Sequence, residues 1–218
     1  MNQGISILIV DDHPIVRDGL EYLLRKEPDL SICGYAEDAD TALLSIEQYK
    51  PDIAIVDISL KGGKSGLELT NTIRKLYPRL PVLILSMHDE FLYAQRLIRS
   101  GARGYVSKHE MTDAIVQAIR KVMSGGVYLS DTQTSKFIDD LMFKQNKTVT
   151  TSVEKLTNTE LNVFRLIGDG KKTSDIAAEL QVSVKTIDTH RLRIKRKLSL
   201  NNSSELIKFA VEWMNHNK

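Results

Sequence analysis

Ile53-Ala54-Ile55-Val56-Asp57-Ile58-Ser59 stands between the breaker Lys50-Pro51-Asp52 and the loop Lys61-Gly62-Gly63-Lys64. An apolar run of this length, bounded in this way, suits a strand buried on both faces, as in a parallel sheet covered by helices. The run ends on a carboxylate. Aspartate at a strand end often only starts a turn, so the meaning of Asp57 depends on what stands at the ends of the other strands.

On either side of this stretch, strand-like runs recur at Ser6 to Val10, Leu30 to Ala36, Val82 to Leu85 and Gly104 to Val106. Amphipathic stretches lie near 14–26, 40–49, 66–77, 90–100 and 111–124, as in Leu20-x-x-Leu23-Leu24 and Ile115-x-x-x-Ile119-x-x-Val122. Five alternations predict an α/β unit, a five-stranded parallel sheet with helices on both faces. In such folds ligands sit where the strands end. The residues there are Asp11-Asp12, Asp57, Ser86 and Lys108. Each alone has an ordinary explanation, Asp12 as a helix cap, Ser86 as a turn residue and Lys108 as a solvated cation. Together they place three carboxylates, one hydroxyl and one ammonium at one sheet edge.

That set dictates a chemistry. Three close acids repel one another unless a divalent cation sits among them, and an all-oxygen site favours magnesium. With the cation present Asp57 suits a nucleophile toward a phosphoryl group, while metal and Lys108 neutralise its oxygens and Ser86 hydrogen-bonds one of them. The product is an acyl phosphate, which adds charge and acceptors at Asp57.

The chain has 218 residues, 42% hydrophobic and 27% charged, a composition expected of a water-soluble protein of two ordinary domains. No apolar run approaches the roughly 20 residues that span a bilayer, and Met1-Asn2-Gln3-Gly4 is no signal-peptide start, so a cytoplasmic protein is expected. The one cysteine, Cys33, is expected as a buried, reduced thiol. Of 30 Lys/Arg and 28 Asp/Glu, 12 and 8 fall in residues 153–218, leaving 18 and 20 before them. A basic end after an acidic beginning predicts a polyanion partner for the end alone.

After Met123-Ser124-Gly125-Gly126 the pattern weakens. Val127 to Leu129 is a brief apolar touch, Ser135 to Phe143 could make a helix, and Lys144 to Ser152 reads as a linker. From Leu156 helices return. Thr157-Asn158-Thr159-Glu160 is a capping box for a helix carrying Leu161, Val163, Phe164 and Ile167, closed by Gly168 and Gly170. Thr173 to Leu180, the turn Gln181-Val182-Ser183 and Val184 to Leu198 predict a helix-turn-helix, and Asn202-x-x-Glu205 opens a fourth helix. In the 184–198 helix, Ile187, Ile194 and Leu198 share one stripe, with His190 at its edge as a packed, hydrogen-bonding residue. The opposite face brings up Lys185, Thr189, Leu192 and Arg196, flanked by Asp188 and Arg193, with Thr186 beside them. Arg191, Arg193, Lys195, Arg196 and Lys197 crowd five cations into seven residues. This face is expected to enter the major groove of double-stranded DNA.

Asp11-Asp12, Asp57, Ser86 and Ser107-Lys108 with Tyr105 resemble the receiver domain of bacterial two-component response regulators, a flavodoxin-like doubly wound fold. The resemblance implies that a sensor histidine kinase phosphorylates Asp57. It also implies that Mg2+ is held by Asp12, Asp57 and the backbone carbonyl of Ser59 with Asp11 assisting, and that Ser86 and Tyr105 form a switch pair. His88, two residues past Ser86, is a candidate for controlling water at the phosphoryl group. Lys61 stands where the family usually has proline, in a loop one residue longer than common. Leu156-Thr157, Glu160, Ile176-Ala177, Leu180, Val182-Ser183, Thr186-Ile187, His190 and Lys197-Leu198 resemble the LuxR-type helix-turn-helix. Thr159 replaces the family's usual Arg, and Asp188 a frequent Lys, where it could accept from a cytosine amine or repel phosphate. Together the parts resemble the NarL/FixJ class: receiver at 1–124, linker at 125–152, DNA-binding domain at 153–218, with homodimers on phosphorylation and the last helix in the dimer contact. The reading is a phosphorylation-switched, non-enzymatic transcription factor. The same carboxylates suit a metal-dependent phosphotransfer enzyme, and a receiver can also act through protein partners alone.

Overall fold

The computed structural model of the chain describes residues 4–60, 65–87, 100–135, 138, 153, 155–180 and 182–216. Outside these lie the loop 61–64, His88, and Gln181 of the expected turn. So do the helix expected at 90–100 except its last residue, that at 135–143 except residues 135 and 138, and the segment 144–152. The chain divides into two compact units, Met1–Leu141 and Met142–Lys218.

The first unit runs β1 (Ile5–Val10), α1 (Pro14–Leu24), β2 (Leu30–Ala36), α2 (Ala39–Tyr49), β3 (Ile53–Asp57), α3 (Gly66–Leu76), β4 (Val82–Ser86), β5 (Gly104–Ser107) and α4 (Met111–Met123). All strand pairs are parallel, in the order β2-β1-β3-β4-β5. Central position explains the unbroken apolar run of β3. Both its neighbours are strands, both its faces are covered, and all five residues are buried. Ile7, Ile9, Ile53, Ile55, Leu83 and Leu85 meet Leu20, Leu24, Ile115 and Ile119 in one core on one side of the sheet. Cys33 is half-buried rather than buried. It sits on the outermost strand, and its thiol donates to the Ile7 carbonyl at 3.3 Å.

Local chemistry sets the helix ends. Asp38 and Ser65 cap α2 and α3 by reciprocal bonds with Thr41 and Glu68. The α1 start departs from the ordinary explanation of Asp12. The N-cap residue is His13 and not Asp12; its side chain makes no cap bond, and Pro14 stands at the first turn.

One pairing was not foreseen. Past α4 the chain returns to the sheet, where Tyr128 bridges Gly104 in parallel. The Tyr105 amide donates to the Tyr128 carbonyl at 2.9 Å, and the Tyr128 amide to the Arg103 carbonyl at 3.0 Å. The apolar touch at 127–129 thus covers the free edge of β5.

The second unit holds α5 (Asn158–Gly168), α6 (Thr173–Glu179), α7 (Val184–Leu198) and α8 (Ser203–His216). Thr157 and Glu160 form the expected capping box, and Glu205 exchanges bonds with Asn202 ahead of α8. Helix α5 packs on α8 and α7, with Phe164 between Phe209 and Trp213 at ring separations of 5.9 and 5.7 Å. The two glycines after α5 do different work. Gly170 supplies the left-handed turn at φ 78°, whereas a Cβ on Gly168 would meet the Ala210 carbonyl oxygen at 2.9 Å. Gly168 is therefore required by helix approach, not by helix ending.

Candidate functional site

Register brings the expected residues together. Val10 pairs with Val56 and Asp57 with Leu85, while Ser86 pairs with Ser107. In a parallel sheet the residues that follow these partners leave on the same edge, so Asp11-Asp12, Asp57, Ser86 and Lys108 converge. Asp11, Asp12 and Asp57 are 1%, 6% and 2% exposed, a burial that charged carboxylates tolerate only with partners.

The first partner is Lys108, whose side chain is 6% exposed. Its ammonium lies 2.7 Å from Asp11 Oδ2 and 2.9 Å from Asp57 Oδ2. The Lys108 amide donates to the Ser86 carbonyl at 2.7 Å, which ties the two strand ends. Burial pushes the Asp57 carboxyl above its ordinary value, Lys108 pulls it back, and Asp11 adds to the rise. The Ser59 amide hydrogen-bonds the same carboxylate and favours its charged form. Ser86 ends β4 and is buried, as is Tyr105, which pairs with Ile84 two residues before the ends of β4 and β5.

Three residues of the site escaped the sequence reading. His13 turns back into the cluster, its Nδ1 3.1 Å from Asp11 Oδ1, 3.0 Å from Asp12 Oδ1 and 3.9 Å from Asp57 Oδ2. Its amide also donates to Asp11 Oδ1 at 2.9 Å. Arg17 donates to the Asp11 carbonyl at 2.8 Å and pairs with Glu37 at 3.0 Å, which fixes the backbone under the acids. Gly66 opens α3 against the end of β3. A Cβ there would fall 2.0 Å from the Asp57 carbonyl oxygen, so only glycine fits. Gly66 was legible in part, because Ser65-x-x-Glu68 is a capping box that places residue 66 at a helix start. His13 and Arg17 carry no such pattern.

Asp11, Asp12, His13 and Asp57 present ligand atoms within 4.8 Å of one another. Three carboxylates face one ammonium in a buried pocket, and the uncompensated negative charge suits a hard divalent cation.

A second candidate surface lies on α7. Ile187, Ile194 and Leu198 are buried, whereas Lys185, Asp188, Thr189, Leu192, Arg193 and Arg196 are exposed and Thr186 is half-buried. Thr186 belongs to the helix start, its hydroxyl 2.8 Å from that of the N-cap Ser183. Two of the five clustered cations turn inward: Arg191 donates to Thr173 Oγ1 at 3.3 Å, and Lys197 to Glu160 Oε2 at 2.6 Å. Burial works to raise the Glu160 carboxyl, but hydrogen bonds from Lys197 and Thr157 hold it below its ordinary value. His190 is packed, but its Nδ1 is buried with no hydrogen-bond partner among the described residues, so the expected hydrogen bond is not made there. Burial and the charge of Arg193 hold its imidazole below the ordinary value, against the pull of Glu160.

Among the described residues no helix is long and apolar enough to cross a membrane. Residues 7–120 match the response regulator receiver domain, and residues 154–210 match the bacterial regulatory proteins of the luxR family. The oxygen regulatory protein NreC of Staphylococcus haemolyticus is 33% identical over 211 residues, covering 95% of this chain and 97% of that protein. NreC of Staphylococcus aureus is 32% identical over the same length and shares. Among solved structures, a LuxR-family two-component response regulator from Aurantimonas is 32% identical, with TM-score 0.60, over 64% of this chain and 99% of that one. RcsB of Salmonella typhimurium shares the fold at 22% identity, with TM-score 0.65 over 96% and 98% of the two chains. RcsB has also been solved in complex with DNA, and that chain gives TM-score 0.59 at 22% identity over 94% of this chain and 97% of that one.

Proposed function

Because this chain belongs to the two-component response regulators that join a receiver to a LuxR-type DNA-binding domain, and so to the transcription regulators switched by phosphorylation, we propose that Asp57 is its phosphoacceptor and the exposed face of α7 its DNA reader. The observation that carries the reading is the Asp57 carboxylate, buried at the sheet edge with Lys108 2.9 Å from Oδ2 and two further aspartates beside it.

The residues act as follows. Lys108 and the Ser59 amide favour the ionised form of the Asp57 carboxylate, opposing the larger effect of burial. A carboxylate oxygen attacks the phosphorus of a phosphohistidine on a sensor kinase. A P–O bond forms as the P–N bond breaks, and the imidazole leaves and takes up a proton. The all-oxygen set fits Mg2+, with Asp12, Asp57 and the Ser59 carbonyl as ligands and Asp11 assisting; the bound cation would neutralise phosphoryl oxygens during transfer. Lys108 afterwards faces the added charge, and Ser86 supplies a hydroxyl donor at the same edge. Tyr105 is the second member of the switch pair. We place the receiver at 1–124, the linker at 125–152 and the DNA-binding domain at 153–218. The regulator would act in the cytoplasm, as a homodimer on double-stranded DNA when phosphorylated. Exposed Ile207 and Val211 on α8 support a helix contact between copies.

The test uses the full chain with Mg2+ and a small acyl phosphate as donor, followed by intact-mass spectrometry and duplex binding. Wild type should gain one phosphoryl group, and its DNA affinity should rise. Asp57→Asn should gain neither. Equal labelling of the variant would remove Asp57 from the role, and many turnovers per chain would favour a phosphotransfer enzyme.

A further inference from the structure

The exposed face of α7 carries two residues that contact with phosphate cannot explain. Asp188 is exposed among Lys185, Arg193 and Arg196, and no hydrogen bond or ion pair engages its carboxylate among the described residues. Leu192, one turn further, is 53% exposed. A carboxylate is repelled by the DNA backbone, and an exposed leucine gains nothing from it. Both are accounted for by base edges. In the major groove a carboxylate accepts from the cytosine N4 amine, and an apolar side chain packs on the thymine methyl. Thr189 between them is partly committed, since its hydroxyl donates to the Lys185 carbonyl at 2.9 Å and so has no proton left for a base.

We infer that Asp188 and Leu192 set the sequence preference of this regulator, Asp188 selecting a cytosine and Leu192 a thymine. The inference rests on the DNA-reading role proposed for α7. Spacing makes it more specific. Four helical residues rise about 6 Å along the axis, which is close to two base steps of about 3.4 Å. The two selected bases therefore lie within about two steps of each other in one half-site. Lys185, Arg193 and Arg196 flank the pair and supply the phosphate contacts, so affinity and selectivity reside in different side chains of one helix. The inward turn of Arg191 and Lys197 keeps two further cations from competing for these edges.

The full chain, phosphorylated with a small acyl phosphate, is used to select duplexes from a randomised library at about 0.1 M salt. The enriched half-site should contain a cytosine and a thymine within two steps. Replacing that thymine with deoxyuridine removes only the methyl group and should weaken wild-type binding about fourfold. Leu192→Ala should bind both duplexes alike, with an unchanged dependence on salt. Changing the cytosine·guanine pair to thymine·adenine should cost wild type tenfold or more, and Asp188→Ala should lose that discrimination. If wild type selects a site but Leu192→Ala keeps the methyl sensitivity, or Asp188→Ala keeps the cytosine, the inference is wrong while the DNA-reading role stands. If wild type binds no duplex even at low salt, the role of α7 fails and the inference with it.

Discussion

Replacing Asp57 with asparagine removes one charge from a pocket in which three carboxylates lie within 4.8 Å of one another. At an effective dielectric constant near 20, each repulsion of Asp57 with Asp11 and Asp12 over that distance is about 3.5 kcal/mol. The attraction to Lys108 at 2.9 Å is about 5.7 kcal/mol on the same scale. The balance leaves Asp57 about 1 kcal/mol unfavourable without a cation, and burial of its charge adds to this, in the direction of its raised pKa. Asp57→Asn should therefore stabilise the first unit by about 1–3 kcal/mol, a rise in melting temperature of about 2–12 °C. The assay is thermal unfolding of the full chain by circular dichroism at pH 8, above the ordinary titration range of imidazole, with and without Mg2+. Trp213 is the single tryptophan and lies in α8, so its fluorescence reports the second unit and should not move. Saturating Mg2+ should raise wild type by about 3 kcal/mol at a hundredfold excess over its dissociation constant, and the variant by much less. A variant that melts below wild type without cation, or gains equally from Mg2+, would refute the view that repulsion dominates this pocket.

Gly66→Ala should destabilise the first unit by about 1–3 kcal/mol, because its Cβ would strike the Asp57 carbonyl. The same displacement should slow labelling of Asp57 by an acyl phosphate, and normal labelling at normal stability would contradict the close approach. Lys197→Met strands the buried Glu160 carboxylate and should cost the second unit about 2 kcal/mol, less than a fully buried pair because Lys197 is partly exposed. The double variant with Glu160→Gln should regain most of this in denaturant titrations read by Trp213 fluorescence. Acid should weaken the second unit in two stages. The folded pKa of His190 lies below its ordinary 6.5 and that of Glu160 below its ordinary 4.5, so the unfolded chain binds more protons in each window. Stability should fall first below about pH 6.5 and again below about 4.5, and His190→Gln should abolish only the first stage. Arg196→Ala should lower the slope of log affinity against log salt by about 1 without changing base preference, as measured by duplex titration.

How much of this was legible beforehand follows from the range of each interaction. The strands, the helices of the second unit and their caps depend on residues within a few positions, such as Thr157 with Glu160 or Asn202 with Glu205, and local pattern reveals them. Convergence of Asp11, Asp12, Asp57 and Lys108 was also readable, because a parallel sheet sends every strand end to one edge. Pairings between distant residues were not. Lys197 reaches Glu160 across 37 positions, and Tyr128 pairs with the edge of β5 from a segment whose own pattern is faint. His13 stood in plain view beside Asp12, but its direction is set by the turn that Asp11 holds through the His13 amide.

Local periodicity and residue type specify which elements form, their order, and the chemical character of the strand ends, so these are readable from the chain alone. Which charges face inward, and how closely α3 approaches Asp57, is settled only when the elements pack. The same holds for which residues of α7 stand exposed. Those outcomes depend on backbone approach and on partners far along the chain, which no local pattern encodes.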